Sequence, residues 1–123
     1  MKANELRIGN LVYLTDKEKV WEILDGHEID ECDDNLSVDP IPLTEEWLLK
    51  FGFIDLNERC GLNGIYAIIG KRGHINIETM SYCEIDYEGS VDDIVKIEYV
   101  HELQNLFYVL NKEELNYESN NRI

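Results

Sequence analysis

The chain has 123 residues, with 11 basic against 26 acidic side chains and a formal net charge of −15. Charge of that sign and size repels nucleic-acid phosphates and anionic lipid, so direct nucleic-acid binding and membrane-surface binding are the first classes to fall. The length suits one domain over residues 1–123, able to bury roughly two-thirds of its unfolded surface and to fold without metal or disulfide.

The N-terminal residues Met1–Glu5 lack the apolar centre of a signal peptide, and no stretch reaches the roughly 18 apolar residues of a membrane span. A cytoplasmic protein with reduced thiols is expected. Cys32, Cys60 and Cys83 are odd in number and contain no CxxC pair, which argues against a disulfide framework and a zinc ribbon. Leu6, Ile8, Val12 and Leu14 share a parity that Gly9-Asn10 interrupts, predicting one bulged strand or two short strands around a turn. Asp16-Lys17-Glu18 reads as a polar turn, and Lys19–Leu24 as a strand. Asp25-Gly26 is a hairpin signal, with His27–Cys32 as the return strand and 33–40 as an exposed loop. Residues 6–32 are a candidate for a small β-hairpin subdomain.

The helix at 44–51 is written locally from start to stop. Thr44 is its N-cap, and Glu45 and Glu46 sit where the helix dipole favours negative charge. Leu43 and Leu48 form a hydrophobic staple across that start. Gly52 supplies the left-handed residue that ends the helix, letting Phe53 fold back onto Leu48. Trp47, Leu48 and Phe51 share one side, which predicts burial of all three against a sheet.

After Gly52 the pattern shortens. Phe53–Glu58, Ile65–Ile69, His74–Thr79, Cys83–Tyr87 and Asp93–Tyr99 read as strands separated by glycine-containing turns, which predicts an antiparallel meander. Val100, Leu103, Leu106, Phe107 and Leu110 fall on one stripe of a second helix at 100–110, with Asn111 as its left-handed stop. The polar tail 116–123 is expected to fray. These elements add up to an α+β fold, an antiparallel sheet of five or more strands covered on one face by two helices.

Three phrases carry a resemblance: Glu5-Leu6-Arg7-Ile8-Gly9-Asn10, the run from Ile41 to Phe53, and the run from Tyr99 to Phe107. In these the chain resembles a family of small uncharacterised proteins carried by phages and mobile elements of Bacteroidetes. It departs from that family's pattern at Asn111-Lys112, where a Thr-Gly is usual. The resemblance implies an accessory role and no particular activity.

Motifs with chemistry fail on inspection. Asp33, Asn35, Ser37 and Asp39 have the spacing of a calcium loop, but Val38 and Thr44 stand where glycine and a bidentate glutamate belong. Asp86, Glu88, Ser90 and Asp92 fail in the same way at Val91 and Ile97. No metal or other cofactor is expected. His27, His74 and His101 are scattered and read as partly exposed structural residues, His101 on the polar side of its helix. Cys60 or Cys83 beside His74 would make a Cys–His pair, although strand cysteines are usually small buried hydrophobes. Tyr82, Tyr87, Tyr99, Tyr108 and Tyr117 suit core and rim packing.

Acid is concentrated in two stretches without Lys or Arg: Glu28, Asp30, Glu31, Asp33 and Asp34 (with Asp39), and Glu84, Asp86, Glu88, Asp92 and Asp93. On a strand, Glu84, Asp86 and Glu88 would line one face at about 7 Å intervals while Ile85 and Tyr87 point inward. Such a face either keeps the protein soluble or meets a basic protein partner. The expected function is that of a non-enzymatic phage or mobile-element accessory protein acting by protein–protein binding. The alternatives are an acidic nucleic-acid mimic that inhibits a host defence or DNA-handling protein, and an enzyme of unrecognised type. With failed calcium loops and unpaired cysteines, neither a chelator nor a reductant should shift the melting temperature. A drop with either, measured by calorimetry, would reveal a misread acidic loop or cysteine.

Overall fold

A computed structural model describes residues 6–15, 17–23, 38–57 and 61–115. Alternating apolar residues there build two antiparallel sheets. The strands are β1 (Leu11–Leu14), β2 (Lys19–Glu22), β3 (Val38–Asp39), β4 (Ile54–Asp55), β5 (Ile65–Ala67), β6 (His74–Asn76), β7 (Ser81–Ile85) and β8 (Val91–Lys96). Helix α1 spans Glu45–Lys50 and α2 spans Val100–Asn111. One sheet has the order β2-β1-β3, and the other is the five-stranded meander β4-β5-β6-β7-β8. Leu48 of α1, its C-cap Phe51, and Val100, Leu103 and Phe107 of α2 share one core with Tyr66 and Ile75 of the meander. The α+β architecture expected from the sequence is therefore present. Among the described residues, no helix is long and apolar enough to cross a membrane.

The small sheet departs from expectation in two places. Ile8-Gly9 forms a turn, so the strand begins at Leu11, and Gly9 (φ 97°) takes the left-handed backbone that a side chain would strain. Val38–Asp39, expected in an exposed loop, pairs with β1 through Tyr13↔Asp39 and Leu14↔Val38. The reason is Val38 itself, a buried β-branched residue that completes a cluster with Val12 and Ile23. The Asp25-Gly26 turn, the return strand 27–32, most of the acidic loop and the tail 116–123 lie outside the described residues.

Helix α1 starts and stops as its sequence dictates. The Trp47 amide donates to Thr44 Oγ1 at 3.4 Å, and Leu43 and Leu48 are both buried in the shared core. At the other end the Gly52 and Phe53 amides donate to the carbonyls of Leu49 and Leu48, both at 3.0 Å, with Gly52 left-handed. That is the paired closure of a Schellman motif. Trp47 is the correction. It is only partly buried, tilted against Phe51 with ring centroids 5.7 Å apart and covered by the Lys50 ammonium 4.7 Å from its ring. Leu48, fully buried, holds the central position instead. From the same core, the Tyr66 hydroxyl donates to the Glu45 carboxylate and ties β5 to the first turn of α1.

Helix α2 begins where Glu102 accepts from the amides of Glu98 and Tyr99 at 2.9 and 3.0 Å. Leu43 and Val100 donate to Glu98 and Ile41 across a short bridge, so the starts of α1 and α2 are laced together. The left-handed stop falls at Lys112 (φ 60°), one residue beyond the expected Asn111. Asn111 is engaged elsewhere: its side chain accepts from the Arg72 amide at 2.8 Å and donates to the Arg72 carbonyl at 2.9 Å. His101, expected on the polar side, is buried and stacks on Tyr99 with centroids 5.8 Å apart. Gln104 is also buried; it accepts from the Leu11 amide at 2.8 Å and donates to the Gly9 carbonyl at 3.0 Å.

These positions order the expected costs. Leu48→Ala should lower stability by about 2–5 kcal/mol, the range for emptying a core site. Trp47→Ala, although it deletes the larger side chain, should cost less because that ring is only partly buried. Urea denaturation midpoints of the two variants would check this, and the reverse order would make the tryptophan the anchor.

Candidate functional site

The acidic candidates divide sharply. Glu28, Asp30, Glu31, Asp33 and Asp34 lie outside the described residues, whereas Glu84, Asp86, Glu88, Asp92 and Asp93 are all exposed on one hairpin, β7–β8. Register brings them together. Glu84 stands opposite Asp92, and Asp93 opposite Cys83, with an irregularity between Tyr82 and Cys83 that leaves Ile94 without a direct partner. A like-charged cross-strand pair such as Glu84 and Asp92 is destabilising in isolation.

The expected three-carboxylate strand face is not formed. β7 ends at Ile85, and Asp86–Gly89 is a turn in which one Asp86 oxygen accepts from the amides of Glu88 and Ser90, both at 2.9 Å. Aspartate closes its own turn readily, and that local competition ends the strand. Alternation therefore breaks before Tyr87. The ring expected to point inward is 98% exposed at the hairpin tip.

Strand β8 has its own peculiarity. All six of its residues are exposed, and Ile94 and Val95 stand about half open to solvent. It lies at the end of the sheet order, and among the described residues no strand pairs with its outer edge. Opposite charge is sparse here: Lys96 is the only basic residue in the stretch 84–96.

Beside β7 runs a cleft of about 430 Å³, lined among others by Arg72, His74, Tyr82, Cys83, Glu84 and Leu110. Lys71 and Arg72 form a short basic pair just ahead of β6. What shapes the cleft is the grip of Asn111 on Arg72, together with a Lys71–Glu113 ion pair at 2.6 Å. No local pattern announces either contact. Burial lowers the His74 pKa and raises that of Tyr82, where Glu84 adds to the rise and Arg72 opposes it. Cys83 is pushed up to about 11, by burial first and then by the charge of Asp93.

Cys83 and His74 are register partners, yet the Cys83 thiol faces the His74 carbonyl at 3.6 Å. That is a neutral thiol donating weakly, without the thiolate a nucleophile needs. Among the described residues, no group of three or more His, Cys, Asp or Glu is arranged to hold a metal ion.

Compared with protein-family models, with curated proteins and with solved structures, the chain matches none.

The thiol supplies a pH test. Its folded pKa lies above the ordinary value of 9.0, so the stability it contributes is complete below that value and is lost as pH rises through about 11. With Cys32 and Cys60 replaced by Ser, alkaline denaturation over that window should be weaker after Cys83→Ala. At pH 8 the same thiol should react with a disulfide reagent at least about a hundredfold more slowly than free cysteine. Equal rates would mean an accessible, ordinary thiol.

Proposed function

We propose that the protein is a non-enzymatic accessory protein of a phage or mobile element, working in the cytoplasm by binding another protein through the β7–β8 hairpin. The observation that carries this reading is Tyr87, 98% exposed between Asp86 and Glu88 at the hairpin tip. Tyrosine is enriched at interfaces, where it supplies large contact area and a polar end. Three further carboxylates, Glu84, Asp92 and Asp93, and the exposed Ile94 and Val95 lie on the same hairpin.

A second reading, an acidic mimic of nucleic acid, is favoured by the crowding of Glu84, Asp92 and Asp93 with almost no compensating cation. Both readings make charge the attraction and differ in what the partner normally holds.

The test is affinity capture from a Bacteroidetes host with identification by mass spectrometry. Wild type is compared with a variant carrying Glu84→Gln, Glu88→Gln, Asp92→Asn and Asp93→Asn. Asp86 stays, because its carboxylate closes the turn. The variant should fold at least as stably, since a like-charged pair is removed. It should lose the partner, and wild-type capture should weaken as salt screens the hairpin. Under mimicry the partner also binds DNA and releases it when the protein is added. Equal capture by wild type and variant at two salt concentrations would remove the hairpin as the binding surface.

A further inference from the structure

We infer that β8 is an acceptor edge, and that it takes an extended, lysine- or arginine-bearing segment of the partner as an added antiparallel or parallel strand. The inference rests on the protein-binding reading above and specifies how the partner is held.

Along an edge strand, alternate residues turn their N–H and C=O groups away from the sheet, which is the template that strand addition uses. β8 is the longest strand among the described residues, all six of its residues are exposed, and among the described residues no strand pairs with its outer edge. Edges left open are ordinarily guarded by charge and by bulges. Asp92, Asp93 and the irregularity at Ile94 are guards of that kind. Their sign makes the guard selective. A second copy of the chain brings a formal charge of −15 of its own and is turned away. A basic segment meets attraction from the same carboxylates, reinforced by Glu84 and Glu88 across the hairpin.

Register gives the added strand a chemistry. Tyr82↔Val95 and Glu84↔Asp92 share one face of the sheet, while Cys83↔Asp93 and Ile85↔Val91 share the other. One face of β8 therefore offers Asp92 and Val95, and the other Val91 and Asp93 with Lys96 at its end. The complementary segment carries cations beside Asp92 and Asp93 and β-branched residues beside Val91 and Val95. Main-chain hydrogen bonds supply the affinity in such addition, and alternate side chains the specificity.

The experiment uses the full chain and a synthetic peptide of lysine, valine and threonine with two central lysines. Amide exchange and chemical shifts are followed by NMR. Binding at low salt should protect the amides of residues 91–96. A peptide of the same sequence with alternate amides N-methylated keeps the charge and loses the pairing, and should bind at least about tenfold more weakly. Asp92→Asn with Asp93→Asn should also weaken the unmethylated peptide and flatten its salt dependence.

Equal binding of the two peptides would overturn strand addition and leave the acidic hairpin as a charge-only surface. No binding of the peptide, while the captured partner still needs the hairpin carboxylates, would overturn strand addition alone. Failure of both experiments would bring down the protein-binding reading as well. A chain that sediments as a dimer with these amides already protected would show the edge occupied by a second copy, and would overturn the inference too.

Discussion

One buried side chain joins the two halves of this fold. Gln104 closes the Leu11 amide and the Gly9 carbonyl with its own oxygen and nitrogen, pairing with the end of β1 as a neighbouring strand would. Asn105 beside it accepts from Arg7 Nε at 3.0 Å and from Asn10 Nδ2 at 2.8 Å, while Arg7 continues to the Gln104 carbonyl and to Glu114. Buried backbone groups must be paired, and a turn at Ile8-Gly9 leaves two without a strand partner. The helix amide fills that vacancy, so the small sheet can dock only in this register. Breaking the joint would leave the buried Leu11 amide and the part-buried Gly9 carbonyl unpaired, and an unpaired buried group costs more than a hydrogen bond normally contributes.

This joint explains how much the sequence disclosed. Elements whose start, face and stop are written in adjacent residues came through: Thr44, Leu48 and Gly52 each do what their position implies. The meander and both helices follow from the same local patterns. Long-range decisions were not legible. Val38 becomes a strand because Val12 and Ile23 await it, and Asn111 leaves the helix stop to Lys112 because its amide grips Arg72. Trp47 was misjudged for a related reason. A six-residue helix has room for one fully buried position, and the side chain nearer the axis of the core, Leu48, takes it.

The candidate site was legible as composition and illegible as geometry. Five clustered carboxylates at 84–93 announce a charged surface, but parity placed Tyr87 inward. Parity applies only while the strand lasts, and Asp86 ends it by bonding to its own turn. The outcome is more informative than the expectation, because an aromatic ring that the fold has no use for stands at the most acidic point of the described chain.

Charge on β8 has two effects that point in one direction. At an edge strand, Asp92 costs stability by standing opposite Glu84, yet the sheet retains it on its longest strand. Solubility alone would be served equally by carboxylates on any exposed loop, without weakening a cross-strand pair. Placed at an open edge, the same charges set which strands can approach: they oppose the chain's own copies and favour basic ones. Self-association is the standing hazard of an uncovered edge. On the strand-addition proposal, the arrangement that opposes self-pairing would also select the partner, because repulsion of one sign is attraction of the other. On this argument, edge protection and recognition are one electrostatic property of a single strand.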